Sequence, residues 1–234
     1  MAEKTVVRIK DIDIDVIKKD IKNIHLSVYP PNAEVRISAP ESYDIDTIRH
    51  FAISKLSWIK DNIEIIQKQK HIEPKDYVSG ESHYLFGRRY RFKLVNDKKS
   101  RIEIQGTNTI VMYAKEGVTR DYKHKLMNKW YKTKLEDKLN TLIKRWENIT
   151  GFKFNSWQIK KMKSRWGSCN PENKTAIFNP ELSKTKIKNI EYIILHELIH
   201  TEIRTHNKDF LGYLNKYMPN WTLYKNDINS VTFE

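Results

Sequence analysis

The amino-acid sequence predicts an α+β fold, with an N-terminal region of small antiparallel sheets and a long helix over residues 1–118, followed by a second region over residues 119–234. Two patterns lead to this prediction. Short runs in which apolar and polar residues alternate are typical of strands that bury one face. Longer segments in which apolar residues recur every three or four positions are typical of amphipathic helices. Both patterns occur in the chain, in separate blocks, which favours the α+β class.

Strands and one helix are predicted for the first region. Alternating apolar residues predict a strand over residues 7–14, and residues 24–40 contain two further strands around a turn. Apolar residues at helical spacing from Ile48 to Ile66 predict a single long helix. Residues 84–115 contain three more short apolar runs with glycine or asparagine between them, which predict a second small sheet.

Two helices and two strands are predicted for the second region. Residues 119–149 have helical periodicity, with lysines on the polar side. Residues 157–163 and 174–178 are predicted strands, and the polar residues 165–173 between them are predicted to form a turn-rich stretch. A final helix is predicted from about residue 186 to residue 204, since its isoleucines and leucines can bury one face.

The composition predicts a folded protein with a basic surface. Hydrophobic residues make up 39% of the 234 residues, the formal net charge is +14, and the positive excess lies in residues 76–234. Such an excess favours anionic partners, nucleic acid among them. Apolar runs are too short for a membrane span, and residues 1–15 lack the apolar core of a signal peptide, so we expect a cytoplasmic protein without membrane contact. A single cysteine, Cys169, excludes intrachain disulfides and thiolate metal clusters.

The predicted final helix contains the motif HELIH, which predicts two metal ligands. His196 and His200 are four residues apart, so a helix places both imidazoles on one face, one turn apart. This spacing suits two ligands of one Zn²⁺ ion. Glu197 directly follows the first histidine, which places its carboxylate beside the metal rather than on it. There it can act as the general base that takes a proton from a water molecule.

A catalytic zinc site needs a third protein ligand and an open position for water. His206 lies six residues beyond His200, and a turn at the end of the helix can bring it back towards the metal. Glu202 and Asp209 are the alternatives. Glu202 is about 200° round the helix from His200 and faces away, whereas Asp209 suits a residue that orients one of the histidines.

Residues 161–210 resemble a known family. They contain the block SRWGSC, then a strand and an asparagine, and then HELIH with a histidine six residues later. This order is similar to that of the YgjP-like metallopeptidase domain family, which resembles the zincins and is related to SprT-like proteins. The segments VRISAP, KLSWIKDN, SGESHYLFGRRYRF and NKWYK extend the resemblance over nearly the whole chain.

The resemblance implies a zincin-like, metal-binding C-terminal region. It assigns His196, His200 and His206 as the zinc ligands and Glu197 as the base. In zincins the strand that precedes the metal helix lies along the substrate cleft, and here that strand would be residues 174–178.

Two further residues of the SRWGSC block are considered for a role in the site, Arg165 and Cys169. Arg165 suits either binding of an anion or stabilisation of the transition state, and the residues after it suit a turn beneath the metal. Cys169 is expected to be a small buried residue rather than a nucleophile, because HELIH already supplies an activated water.

Three substrate classes stay open at this point. The first is a peptide or protein, cleaved by a zinc metallopeptidase. The second is a nucleotide, cleaved by a metal-dependent nucleoside triphosphate pyrophosphatase whose lysines hold the phosphates. The third is a protein bound to nucleic acid, cleaved by a protease module that uses the basic surface for binding. The sequence contains no P-loop and no glycine-rich phosphate cradle, which argues against the pyrophosphatase hypothesis without excluding it.

Overall fold

The chain folds as an α+β protein, and its contacts divide it into two units, residues 1–72 and 73–234. The computed structural model describes residues 4–29, 32–68 and 75–230. Within these ranges no helix combines the length and the hydropathy that a membrane span requires. The predicted boundary near residue 118 falls inside the second unit, where the strand before it and the helix after it share one core.

The first unit contains a four-stranded sheet. Its strands are β1 (Lys4–Ile9), β2 (Ile12–Lys19), β3 (His25–Tyr29) and β4 (Glu34–Pro40). They lie in the order β1-β2-β4-β3, with β2 and β4 parallel and the other pairs antiparallel. The sequence predicted only antiparallel pairs. The parallel pair arises because the chain reverses direction between β2 and β3 and again between β3 and β4, so β4 runs in the same direction as β2, and β4 lies between β2 and β3 in the sheet.

Two helices, not one, follow this sheet. They are α1 (Ile45–Ser54) and α2 (Leu56–Lys68). The predicted single helix is interrupted at Lys55, whose backbone N–H donates to the carbonyls of both Phe51 and Ala52. Asp44 caps the start of α1 by accepting from the N–H of Thr47 at 2.6 Å. Apolar residues of both helices and of the sheet form the core of this unit.

The second unit begins with another four-stranded sheet and a long helix. The elements are β5 (Ser82–Leu85), β6 (Arg88–Asn96), β7 (Arg101–Gln105), β8 (Thr109–Ala114) and α3 (Arg120–Thr150). The strand order is β5-β6-β8-β7. Phe92 and Met112 of this sheet pack with Met127 and Tyr131 of α3. The helix has a Thr119 cap at its start, and it ends at Gly151 in the left-handed region that favours glycine (φ 78°).

The rest of the second unit, as described, consists of a three-stranded sheet, one 3₁₀ helix and three α-helices. They are β9 (Ser156–Ile159), β10 (Gly167–Asn170), β11 (Thr175–Phe178), a 3₁₀ helix (Pro180–Lys184), α4 (Ile187–Ile199), α5 (Lys208–Tyr217) and α6 (Trp221–Asn229). The sheet order is β10-β11-β9. Residues 165–173, predicted as a turn, therefore contain strand β10, which forms an antiparallel hairpin with β11. Buried residues of α3, α4 and α5 pack with this sheet in one core.

Asn179 fixes the chain that leads into β10. Its side chain is fully buried, and its Nδ2 donates to the carbonyls of Met162 and Arg165, each at 2.9 Å. Its Oδ1 accepts from the N–H of Glu181, and its own N–H donates to the carbonyl of Trp166. One side chain therefore satisfies two carbonyls of the segment before β10 and holds that segment against the end of β11.

Replacement of Asn179 by alanine is predicted to lower the free energy of unfolding by about 2–4 kcal/mol, because two carbonyls lose their donor in a buried place. Urea unfolding of the purified protein, followed by circular dichroism, measures this difference. Asn148→Ala is the control, since Asn148 is exposed on α3. Equal stability of the two variants would show that Asn179 does not hold this segment.

Candidate metal centre

The motif HELIH lies at the end of α4, in the place that the sequence predicts. Glu197 is buried, while His196 and His200 are half-buried. The helix ends at Ile199, earlier than the predicted end at residue 204. The backbone N–H of Ile203 still donates to the carbonyl of Ile199, and the chain then turns back towards α4 before α5 begins.

This turn brings His206 to the other two histidines. The Nε2 atom of His206 lies 3.1 Å from the Nε2 atoms of both His196 and His200. The three residues form a group whose potential ligand atoms all lie within 4.8 Å of one another. Glu202 and Asp209, the alternative third ligands, are not in this group. Glu202 instead forms an ion pair with Lys174 at 2.6 Å.

The geometry of the three nitrogens fits a zinc ion. Zinc–nitrogen bonds of about 2.0–2.1 Å at tetrahedral angles place neighbouring ligand nitrogens about 3.3 Å apart. The Nδ1 atom of His200 lies 2.9 Å from the carbonyl oxygen of Ile203, which can only accept, so Nδ1 carries the proton. The Nε2 atom of His200 therefore has a free lone pair directed at the other two rings, as a metal ligand requires.

Packing on Phe210 fixes the orientation of the rings. Phe210 is buried on α5, and its ring centroid lies 5.0, 4.8 and 4.6 Å from those of His196, His200 and His206. The side chain of Asn207 accepts from the N–H of Phe210 and caps α5 there. The Nδ1 atom of His196 is buried and has no hydrogen-bond partner among the described residues, so on that side of the ring only packing holds it.

Burial keeps the two helical histidines neutral. Burial, with a smaller contribution from the neighbouring histidines, lowers the pKa of His196 to about 3. Burial also lowers the pKa of His200, although its hydrogen bond to Ile203 opposes the shift. Both rings are therefore unprotonated near neutral pH and available as metal ligands.

The side chain of Glu197 projects from α4 and lies against Gly167, the first residue of β10. Burial raises the pKa of its carboxyl to about 8, and the positive charge of Arg165 opposes this. A Cβ atom built on Gly167 would lie only 2.7 Å from Oε1 of Glu197 and 2.8 Å from Cγ2 of Ile193. Only glycine at position 167 therefore leaves room for the carboxylate.

A cleft with a volume of about 1120 Å³ contains the three histidines and Glu197. Arg165 and β10 line it, so the structure places Arg165 beside the predicted base. Cys169 lines it too, and burial together with the charge of Glu197 raises the pKa of this thiol to about 12. The thiol stays protonated near neutral pH, which agrees with the prediction that it is not a nucleophile.

The strand that borders the cleft is β10, not residues 174–178 as the resemblance implied. These residues contain all of β11, which is the middle strand of the sheet, whereas β10 is an edge strand among the described residues. The N–H of Asn179 donates to the carbonyl of Trp166 directly opposite. In an antiparallel pair of strands, residues that bond to the partner strand alternate with residues whose N–H and C=O groups point away from it. Trp166 bonds to β11's side of the sheet, so the backbone groups of Gly167 and Cys169 point away from β11, towards the free edge.

A comparison with protein-family models identifies the family of this chain. The model of the YgjP-like metallopeptidase domain matches residues 22–231, which is most of the chain. The chain belongs to the YgjP-like metallopeptidase domain family. This YgjP-like chain is accordingly a metal-dependent hydrolase of the peptidase type, and its family implies a divalent metal ion and protein or peptide substrates.

Solved structures resemble part of the YgjP-like chain, while no curated protein sequence matches it. The metallopeptidase zymogen abylysin of Pyrococcus abyssi is 20% identical, with a TM-score of 0.36, over 38% of this chain and 90% of abylysin. The metallopeptidase zymogen jannalysin of Methanocaldococcus jannaschii is 28% identical, with a TM-score of 0.33, over 40% of this chain and 91% of jannalysin. The similarity to each therefore covers less than half of this chain.

Sequence reasoning missed several residues that line the cleft, Tyr192 and Lys225 among them. Tyr192 is buried, and burial, with the charge of Glu197, raises the pKa of its hydroxyl to about 12. Its position four residues before His196, on the same helix face, was the signal that could have shown it. Lys225 comes from α6, and nothing in the sequence places that helix beside the metal centre.

The contact between Gly167 and Glu197 gives a prediction for the YgjP-like chain. Gly167→Ala is expected to displace the carboxylate and reduce hydrolysis about a hundredfold, because a shift of about 1 Å in a reacting group has this effect. Metal content should stay unchanged, since no proposed ligand is altered. Gly212→Ala on α5 is the matched control, as a Cβ atom there meets nothing within 4 Å. Full activity of Gly167→Ala would show that the carboxylate position is not critical.

Proposed function

We propose that the protein is a zinc metallopeptidase in which His196, His200 and His206 bind one Zn²⁺ ion and Glu197 is the general base. The observation that carries this proposal is the convergence of three Nε2 atoms, with distances of 3.1 Å from His206 to each of the others. The Nε2 atom of His206 carries either one proton or one lone pair, so only one of its two 3.1 Å contacts can be a good hydrogen bond. A cation between the three nitrogens would instead form a bond with each of them.

Zinc, when bound, polarises the carbonyl of the scissile peptide bond and lowers the pKa of a water molecule. Glu197 performs the proton transfers. Its carboxylate takes a proton from the attacking water and then gives it to the nitrogen of the leaving amine, so the carboxylate is regenerated. Burial beside β10 and the contact with Gly167 hold the carboxylate in one place for both transfers.

Arg165 is proposed to stabilise the negative charge that develops on the carbonyl oxygen of the substrate. Its charge reaches Glu197, because it lowers the pKa of that carboxyl against the effect of burial. Its side chain is exposed in the cleft and forms no ion pair with any described carboxylate, so it is available to a substrate. A cation at this position acts on the transition state more than on the neutral peptide.

The substrate is proposed to bind as an extended peptide along the free edge of β10. The backbone groups of Gly167 and Cys169 point to this edge, and an added strand would pair with them. Because β10 passes over Glu197, this pairing would bring a peptide bond close to the base and the three histidines.

Glu197→Gln is predicted to bind about one zinc ion per chain, as the unchanged protein does, and to lose about 10²–10⁴-fold in turnover, because an amide cannot accept the proton. Metal analysis after dialysis and cleavage of casein measure the two effects. Glu136→Gln, at an exposed position of α3, is the control for loss of one negative charge. Full activity in Glu197→Gln would remove this residue from the mechanism, and an absence of zinc from the unchanged protein would remove the metal.

A further inference from the structure

We propose that the cleft selects peptide segments with acidic side chains next to the scissile bond, through three cations that we call the cationic rim: Arg165, Arg204 and Lys225. This inference rests on the proposed peptidase function and adds the class of substrate. All three side chains line the cleft, and they come from three separate parts of the second unit. Arg165 precedes β10, Arg204 lies between α4 and α5, and Lys225 lies on α6.

The cationic rim is not neutralised by the protein. None of the three side chains forms an ion pair with a carboxylate of the described residues, and all three are exposed. Some cations of the second unit do have such partners, as Lys174 has Glu202 and Lys186 has Asp227. Unpaired cations around a concave site attract negative charge more strongly than cations on a convex surface.

The acidic residues of the cleft do not offset this charge. Two exposed carboxylates line it, those of Glu172 and Glu202, and Glu202 is already paired with Lys174 at 2.6 Å. Glu197 also lines the cleft, but it is buried beside Gly167 and is not exposed at the opening. The opening of the cleft therefore has an excess of positive charge, in a chain whose net charge is +14.

Ring contacts hold Lys225 at the metal centre. The Nζ atom of Lys225 lies 5.6 Å from the ring centroid of Trp221, whose Nε1 donates to the side chain of Asn215. Trp221 also stacks on Tyr192 of α4, with ring centroids 6.3 Å apart and planes within 13°. The position of Lys225 is therefore built by α4 and α6, which favours a defined role.

The described part of the cleft favours an acidic peptide over a nucleotide. Gly167 is the single glycine among the described lining residues, and its Cα faces Glu197, so no glycine-rich loop is present there to hold phosphates. The free edge of β10 offers backbone groups that match a peptide. In a peptide bound as a strand, side chains on one face recur every second residue. A carboxylate side chain of this peptide, two residues from the residue that pairs with β10, would therefore project towards the cationic rim.

Binding of two labelled peptides to zinc-loaded Glu197→Gln tests the selectivity without turnover. One ten-residue peptide contains four glutamates, and the other has glutamines in their place. Fluorescence anisotropy should show the acidic peptide bound about tenfold more tightly, since three exposed ion pairs contribute a fewfold each. Added salt should reduce the ratio, because exposed charges are screened. Lys225→Glu and Arg204→Gln, each combined with Glu197→Gln, should lower it, whereas Lys132→Gln on the exposed face of α3 should not.

Cleavage of the same peptides by the unchanged enzyme separates the two proposals. Equal binding of both peptides, with cleavage of both, would overturn the selectivity and leave the peptidase function intact. Tighter binding of the acidic peptide without cleavage of any peptide would support the cationic rim and contradict the peptidase function. Release of pyrophosphate from a nucleoside triphosphate that displaces the acidic peptide would overturn both, and would assign the rim to phosphate groups.

Discussion

Three imidazole nitrogens meet at one point in this protein, and the structure around them serves to keep them there. Two come from successive turns of α4, and the third is brought back by a turn of only six residues after His200. That turn depends on Asn207, which caps α5, and on Phe210, which lies against all three rings. A cation bound by all three nitrogens would tie α4 to the segment that contains His206, so the proposed metal and the fold would stabilise each other.

The second constraint is the close approach of β10 to α4. Gly167 lies against Glu197, and Asn179 holds the segment that leads into this strand through two carbonyls. The SRWGSC block therefore does several things within six residues. It supplies the cation Arg165, the glycine that admits the carboxylate, and the edge strand whose backbone is free for a substrate.

Long periodic elements could be predicted from the sequence because local information is sufficient for them. Helix α3 (Arg120–Thr150) agrees with the predicted range of residues 119–149 within one residue at each end, since 31 residues keep one apolar face. The prediction of a single long helix in the first unit was wrong, because the structure has two helices there. The apolar spacing continues through Lys55, and the interruption there depends on backbone geometry that the pattern does not contain.

The candidate site likewise contains residues that the local sequence predicts and residues whose positions depend on distant parts of the chain. The spacing within HELIH places His196, Glu197 and His200 on one helix, whereas the position of His206 depends on packing with Phe210 and needed the family resemblance. Strand β10 has only four residues, of which none is strongly apolar, so its sequence indicated a turn. Its partner β11 and its contact with α4 decide its conformation, and both are distant in sequence.

X-ray absorption at the zinc edge, on the zinc-loaded protein and on His206→Ala, measures how many imidazoles surround the ion. We expect three imidazole nitrogens and one oxygen at about 2.0–2.1 Å in the unchanged protein, and one imidazole fewer in the variant. Identical spectra for the two proteins, or fewer than three imidazoles around zinc in the unchanged one, would contradict this expectation.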